Sequence, residues 1–152
     1  VQLKKTWNLK TYDRAIGYLA RREHSAKELT AKLTAKGHPL PEIHEAMTRL
    51  QAENLQSESR FVESFVRSRI SQGKGPRVIT QSLEEHGIPA DQIKIALESA
   101  EVCWFTLAIQ VRHQRFGQEI PADFPEKAKQ MRFLQYRGFE MEQIRGAFIK
   151  NI

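Results

Sequence analysis

Three times along this chain a leucine is followed four residues later by glycine, then by isoleucine, then by alanine beside a large apolar residue. The copies are Leu33, Gly37, Ile43, Ala46 and Met47; Leu83, Gly87, Ile93, Ala96 and Leu97; and Leu134, Gly138, Ile144, Ala147 and Phe148. Positions 37, 87 and 138 set a period of about fifty residues, which marks a chain of repeated modules, each burying its apolar face against its neighbours. At 152 residues the chain then holds three modules, and one alone would bury too little surface to fold well. We expect them at residues 1–54, with an N-terminal extension over 1–11, at 55–100 and at 101–152.

Each module reads as three helices. Ser25 with Glu28 has the spacing of a capping box, so a helix starts after Ser25 and buries Leu29 and Leu33 before Gly37 stops it. Pro39 and Pro41 precede a helix carrying Ile43, Ala46, Met47 and Leu50, and the module's first helix lies near Tyr12 to Arg22. In the second module Phe61, Val62, Phe65 and Val66 form a stripe running to about Ile70. Gly73 and Gly75 break it, Pro76 opens the next helix with Ile79 and Leu83, and Pro89 opens the last. In the third, Trp104, Leu107, Ala108 and Val111 make a stripe and an insertion runs from Phe116 to Phe124. A helix holding Met131 and Leu134 follows, and the last runs from Met141 to Ile149. No stretch alternates as a half-buried strand would. The expected fold is all-α, three tandem three-helix modules in an elongated, curved body.

The same residues speak against chemistry. His24, His38, His44, His86 and His113 have no Cys or carboxylate completing a ligand set, so we expect no metal, and no cofactor either. Gly73-Lys74-Gly75-Pro76-Arg77 lacks the spacing of a phosphate-binding loop and no strand precedes it. Glu84 and Glu85 diverge on a helix instead of pairing. Cys103, the single cysteine, sits in an apolar stretch that suggests a buried, inert thiol, and it fits a reducing cytosol. No apolar run approaches a membrane span, and Val1 to Lys10 is basic without the apolar core of a secretory signal. The chain reads as a monomer that is not an enzyme, has no catalytic residues and is not bound to membranes.

Charge is the remaining lead. The net charge is +6, with ten basic against five acidic side chains in residues 1–52, six against eight in 53–101 and eight against five in 102–152. No acid lies between Glu63 and Glu84, where Arg67, Arg69, Lys74 and Arg77 surround the glycine-rich turn, or between Glu101 and Glu119, where Arg112, His113 and Arg115 lie. Such windows are either solvated helix faces or an electrostatic contact surface, the glycines letting a partner approach the backbone. Aromatic residues are not interleaved as base stacking would need, which favours a phosphate or protein contact. Arg60 with Arg67, Arg69, Lys74 and Arg77 is the first-choice group. Arg21, Arg22 and Lys27 form a second, and Arg112, Arg115, Lys129, Arg132 and Arg137 a third.

Ser25-x2-Glu-Leu-x3-Leu-x3-Gly, Arg60-Phe61-Val62 with Gly75-Pro76-Arg77 and His86-Gly87-Ile88, and Arg132-Phe133-Leu134 with Arg137-Gly138-Phe139 together resemble the RecX family. The resemblance runs from about Tyr12 to Ile149. It implies tandem three-helix modules and a function: negative regulation of the RecA recombinase in the bacterial cytoplasm, within DNA repair, homologous recombination and the SOS response. Members bind the RecA filament on single-stranded DNA, in its groove or at its end, and inhibit ATP hydrolysis, strand exchange and filament extension. Two rival readings stay open. One is weak, non-sequence-specific binding of single- or double-stranded DNA; operator recognition is disfavoured because Pro41-Glu42, Asp91-Gln92 and Glu142-Gln143 start the helices after the glycines. The other is a generic helical-repeat scaffold for some acidic protein.

Overall fold

The computed structural model describes residues 2–149, with side chains from Lys10 to Ile149. Among these residues every regular element is a helix: α1 (Gln2–Arg21), α2 (Ala26–Ala35), α3 (Leu40–Ala52), α4 (Glu58–Ser71), α5 (Pro76–Glu85), α6 (Ala90–Ser99), α7 (Trp104–Phe116), α8 (Phe124–Tyr136) and α9 (Met141–Gly146). The chain forms two compact units, residues 1–64 with 86–88, and residues 65–85 with 89–152.

The repeated positions are scaffold. Leu33, Ile43, Leu83 and Leu134 are fully buried, and Ile93, Ile144, Ala46 and Ala147 nearly so, each large apolar side chain contributing about 2 kcal/mol by leaving water. Ala96 and Leu97 are only half-buried. The recurring glycines follow α2, α5 and α8 with φ of 87°, 78° and 100°. At Gly138 the reason for glycine is explicit. Phe139 N–H donates to Leu134 O at 3.2 Å and Gly138 N–H to Gln135 O at 3.0 Å, a left-handed cap that satisfies carbonyls the helix leaves open.

Three helix ends differ from expectation. α1 already runs from Gln2, because residues 2–11 contain no proline or glycine to stop it. α9 ends at Gly146, short of Ile149. Glycine is a poor helix former, and the next carbonyl, that of Ala147, is held by Arg112. The third is only half of the capping box expected after Ser25. Ser25 Oγ accepts the Glu28 N–H at 3.1 Å, but the Glu28 carboxylate turns to Arg22, and Glu58 Oε1 accepts the free N–H of Ala26 at 2.7 Å. The reciprocal side-chain contact occurs at α9, where Gln143 Oε1 accepts the Glu140 N–H at 2.9 Å.

In the first unit, α1, α2 and α3 close around Ala15, Leu29, Leu33, Ile43, Met47 and Leu50. Two buried histidines sit in it as neutral rings. His24 Nδ1 donates to Arg22 O at 3.0 Å while Nε2 accepts from the Lys32 ammonium at 2.8 Å. His38 Nε2 accepts from Arg14 Nε at 2.9 Å, leaving Nδ1–H to donate to Thr11 Oγ1 at 2.8 Å. Burial, aided by neighbouring cations, lowers both below the ordinary 6.5. The unfolded chain therefore binds more protons than the folded one once pH drops below about 6.5, and folding stability must fall. Thermal unfolding followed by circular dichroism is expected to show a melting temperature that is flat above pH 7 and declines from pH 6.5 to 5. His38→Gln should flatten that decline; an unchanged slope would remove His38 from the account.

Candidate functional site

The second unit is organised around a backbone-to-backbone contact. α5 begins where α8 ends: Gly75 N–H donates to Arg137 O at 2.8 Å, and Arg77 N–H donates to Gly138 O at 2.9 Å. Open N–H groups of one helix start thus meet open carbonyls of another helix end, with favourable alignment of their dipoles. The approach needs glycine. A Cβ on Gly75 would lie 2.4 Å from the Gly138 carbonyl carbon, and one on Gly138 would lie 2.6 Å from Val78. The glycine-rich turn, expected to admit a partner, is instead occupied by the chain itself. Gly73 and Gly75 are both buried.

This junction sorts the candidate cations. Arg112 is not a surface residue; it is 1% exposed. Its Nε donates to Ala147 O at 2.9 Å, one terminal nitrogen to Glu119 O at 3.2 Å and Gln130 Oε1 at 3.4 Å, and the other to Gln118 O at 3.2 Å. It therefore ties the loop after α7 to the end of α9 and is withdrawn from the contact set. Burial lowers its affinity for a proton without any carboxylate to offset that.

Others are engaged but less deeply. Arg60 pairs with Glu23 at 2.9 Å and donates to Asn54 O at 2.8 Å, so it braces the start of α4. Arg22 pairs with Glu28, whose carboxylate it holds below the usual range against burial's opposing pull. Arg137 donates to Gln72 O at 2.8 Å. Arg137 and Arg115 also lie 5.2 Å and 5.4 Å from the Phe133 ring centroid, and Arg69 lies 4.1 Å from that of Phe65.

In the second unit Arg69, Lys74, Arg77, Arg115, Lys129 and Arg132 make no ion pair among the described residues. Of these Arg77, Arg115, Lys129 and Arg132 are exposed, as is Arg67, while Lys74 and Arg69 are half-exposed; Arg21 and Lys27 are exposed in the first unit.

Lys129, Arg132 and Tyr136 stand at helical spacing on the face of α8 opposite buried Gln130 and Leu134. Tyr136 is 82% exposed. It borders a cavity of about 570 Å³ beneath the junction that Arg77, Gln81, Glu84 and Glu140 also line. An exposed tyrosine among arginines is a composition favoured at protein interfaces. Sequence reading passed over Tyr136; the spacing of 129, 132 and 136 against 130 and 134 was the available signal.

Cys103, expected to be buried, is exposed ahead of α7. Hydrogen bonding from Thr106 lowers its thiol below the ordinary value. Among the described residues no group of three or more His, Cys, Asp or Glu could hold a metal ion, and no helix is long and apolar enough to cross a membrane.

Family models for the first, second and third three-helix domains of RecX match the chain in that order, over residues 12–50, 57–97 and 104–148. The chain belongs to the RecX family. The regulatory protein RecX of Halorhodospira halophila is 45% identical over 135 residues, covering 89% of this chain and 84% of that protein. That of Legionella pneumophila is 38% identical over 139 residues, covering 91% and 93%. The crystal structure of RecX from Lactobacillus salivarius superposes with a TM-score of 0.73 at 22% identity, over 94% of this chain and 95% of that one. A second RecX crystal structure gives 0.76 at the same identity, over 94% and 73%. Those two likenesses are of fold; the role as a RecX-type regulatory protein rests on the sequence relatives.

Proposed function

We propose that this chain is a negative regulator of RecA, built of modules at 1–54, 55–100 and 101–152. It acts as a cytoplasmic monomer that binds the RecA filament on single-stranded DNA, in the groove or at the end, and inhibits ATP hydrolysis, strand exchange and extension. Membership of the RecX family is the observation that carries this reading. The contact surface we assign is the outer face of α8, Lys129, Arg132 and Tyr136, with Arg77 across the adjoining cavity. Arg69 and Lys74 extend it. Arg112 has no part in it, and Arg60, Arg22 and Arg137 support the fold. The mechanism needs no reacting group: binding that favours one filament state shifts the equilibrium by the difference in affinity.

The test is RecA's DNA-dependent ATP hydrolysis, with this protein titrated in. Inhibition is expected well below one copy per RecA. Lys129→Glu with Arg132→Glu should raise the concentration needed about tenfold, since interface charges of this kind are each worth roughly 1 kcal/mol or less outside a buried pair. Arg69→Glu with Lys74→Glu should weaken inhibition with helical content unchanged. No inhibition by the unaltered protein, even in excess at low salt, would sink the reading. Binding to DNA alone that falls steeply with salt and ignores sequence would favour the direct DNA-binding alternative, for which the net charge of +6 speaks.

A further inference from the structure

A cleft in the second unit, bordered by the turn at Gly73, is lined in a way the basic surface does not explain. Its larger part, about 650 Å³, has an apolar floor of Ile70, Leu107 and Val111, beneath the amides of Gln72, Gln110 and Gln114. That volume lies in the range of ligand-binding clefts, roughly 300–1,000 Å³. A smaller part of about 270 Å³ shares Gln72, Val111 and Gln114 and is closed by Arg115 and Arg137. Among the described residues no carboxylate lines either part.

We propose that this cleft takes an extended polypeptide segment with an acidic end. Each glutamine presents a donor pair and an acceptor, the complement of a peptide's alternating C=O and N–H groups. The floor would bury alternate side chains of an extended strand, which point to one face. Both cations stand at one end, so the acidic residues lie there. Arg137 is held by Gln72 O at 2.8 Å, and both guanidiniums pack on Phe133, which fixes them for a carboxylate.

A nucleic acid fits less well. A phosphate backbone calls for cations along its length and its bases for open aromatic faces, whereas here the cations are at one end and the Phe133 ring is flanked by them. The proposal rests on the reading that the partner is a protein, and it names the chemistry of the segment captured.

The probe is a fluorescein-labelled decapeptide of serine, alanine and valine ending in three glutamates. Its controls are the same peptide ending in three lysines and a decamer of thymidylate, all followed by fluorescence anisotropy at low salt. The acidic peptide is expected to bind, moving the side-chain amide signals of Gln110 and Gln114 in nitrogen–proton correlation spectra. Arg115→Glu should weaken it roughly fivefold or more, and added salt should do the same. Gln110→Ala with Gln114→Ala, exposed helix positions that alanine suits, should weaken it with unchanged helical content. Failure of the acidic peptide to bind, equal binding of the lysine peptide, or binding of the oligonucleotide alone would overturn the proposal. Because this assay contains no RecA, such a failure alongside normal inhibition of RecA would remove the cleft and leave the regulatory reading standing.

Discussion

Gly75→Ala is expected to destabilise the second unit by about 3 kcal/mol or more, a large share of the ~5–15 kcal/mol that holds a domain of ordinary size together. The added methyl would lie 2.4 Å from the Gly138 carbonyl carbon and 2.5 Å from both the Gly138 oxygen and the Phe139 nitrogen. These are backbone atoms fixed by the α8 cap, so no rotamer change relieves the overlap. Separating the two segments would break the bonds from Gly75 N–H to Arg137 O and from Arg77 N–H to Gly138 O, each worth about 1 kcal/mol.

Gly138→Ala should be comparable, because the strain of φ +100° adds to a 2.6 Å contact with Val78. Gly37 is the control. It has φ +87° but open space around its missing Cβ, so Gly37→Ala should cost only about 1 kcal/mol. Urea denaturation of the three variants distinguishes the mechanisms. A small loss for Gly75→Ala, with Gly138→Ala costing no more than Gly37→Ala, would mean that only backbone conformation matters and that the junction contact contributes little.

Arg112→Ala is expected to cost about 3–5 kcal/mol, although Arg112 makes no salt bridge among the described residues. Removing the guanidinium strands the carbonyls of Ala147, Glu119 and Gln118 and leaves a cavity beside Phe148, whose ring lies 5.2 Å from it. Arg112→Lys should recover only a small part, because one ammonium cannot span acceptors on α8, on the loop and after α9. Amide hydrogen exchange at 118–120 should accelerate in the alanine variant before the rest of the unit is affected. Near-normal stability of Arg112→Ala would show that water can replace the guanidinium there.

The contrast between these residues marks how far sequence reasoning reached. The stop at Gly138 was legible because a left-handed cap depends on residues within one helical turn. The starts at Pro76 and after Ser25 were legible for the same reason. Arg112 was misread because an acid-free window makes every cation in it look available; its burial depends on a loop and a helix end that fold over it. Cys103 was misread in the opposite direction: apolar neighbours in sequence suggested a core position, yet the residue sits before the first turn of α7, outside the packed stripe. Tyr136 was not legible as a site residue because a single aromatic on a helix face gives no local sign of the cavity it borders, which Arg77 lines from another helix.

The sequence by itself determined which segments are helical, the glycine stops, the threefold repeat and the family, since each depends on local backbone preference or apolar spacing that acts over a few residues. Tertiary structure alone decided which cations face solvent, and that Gly75 meets Gly138 instead of a partner. Desolvation and backbone approach depend on atoms brought together from distant parts of the chain, and no local pattern encodes that distance.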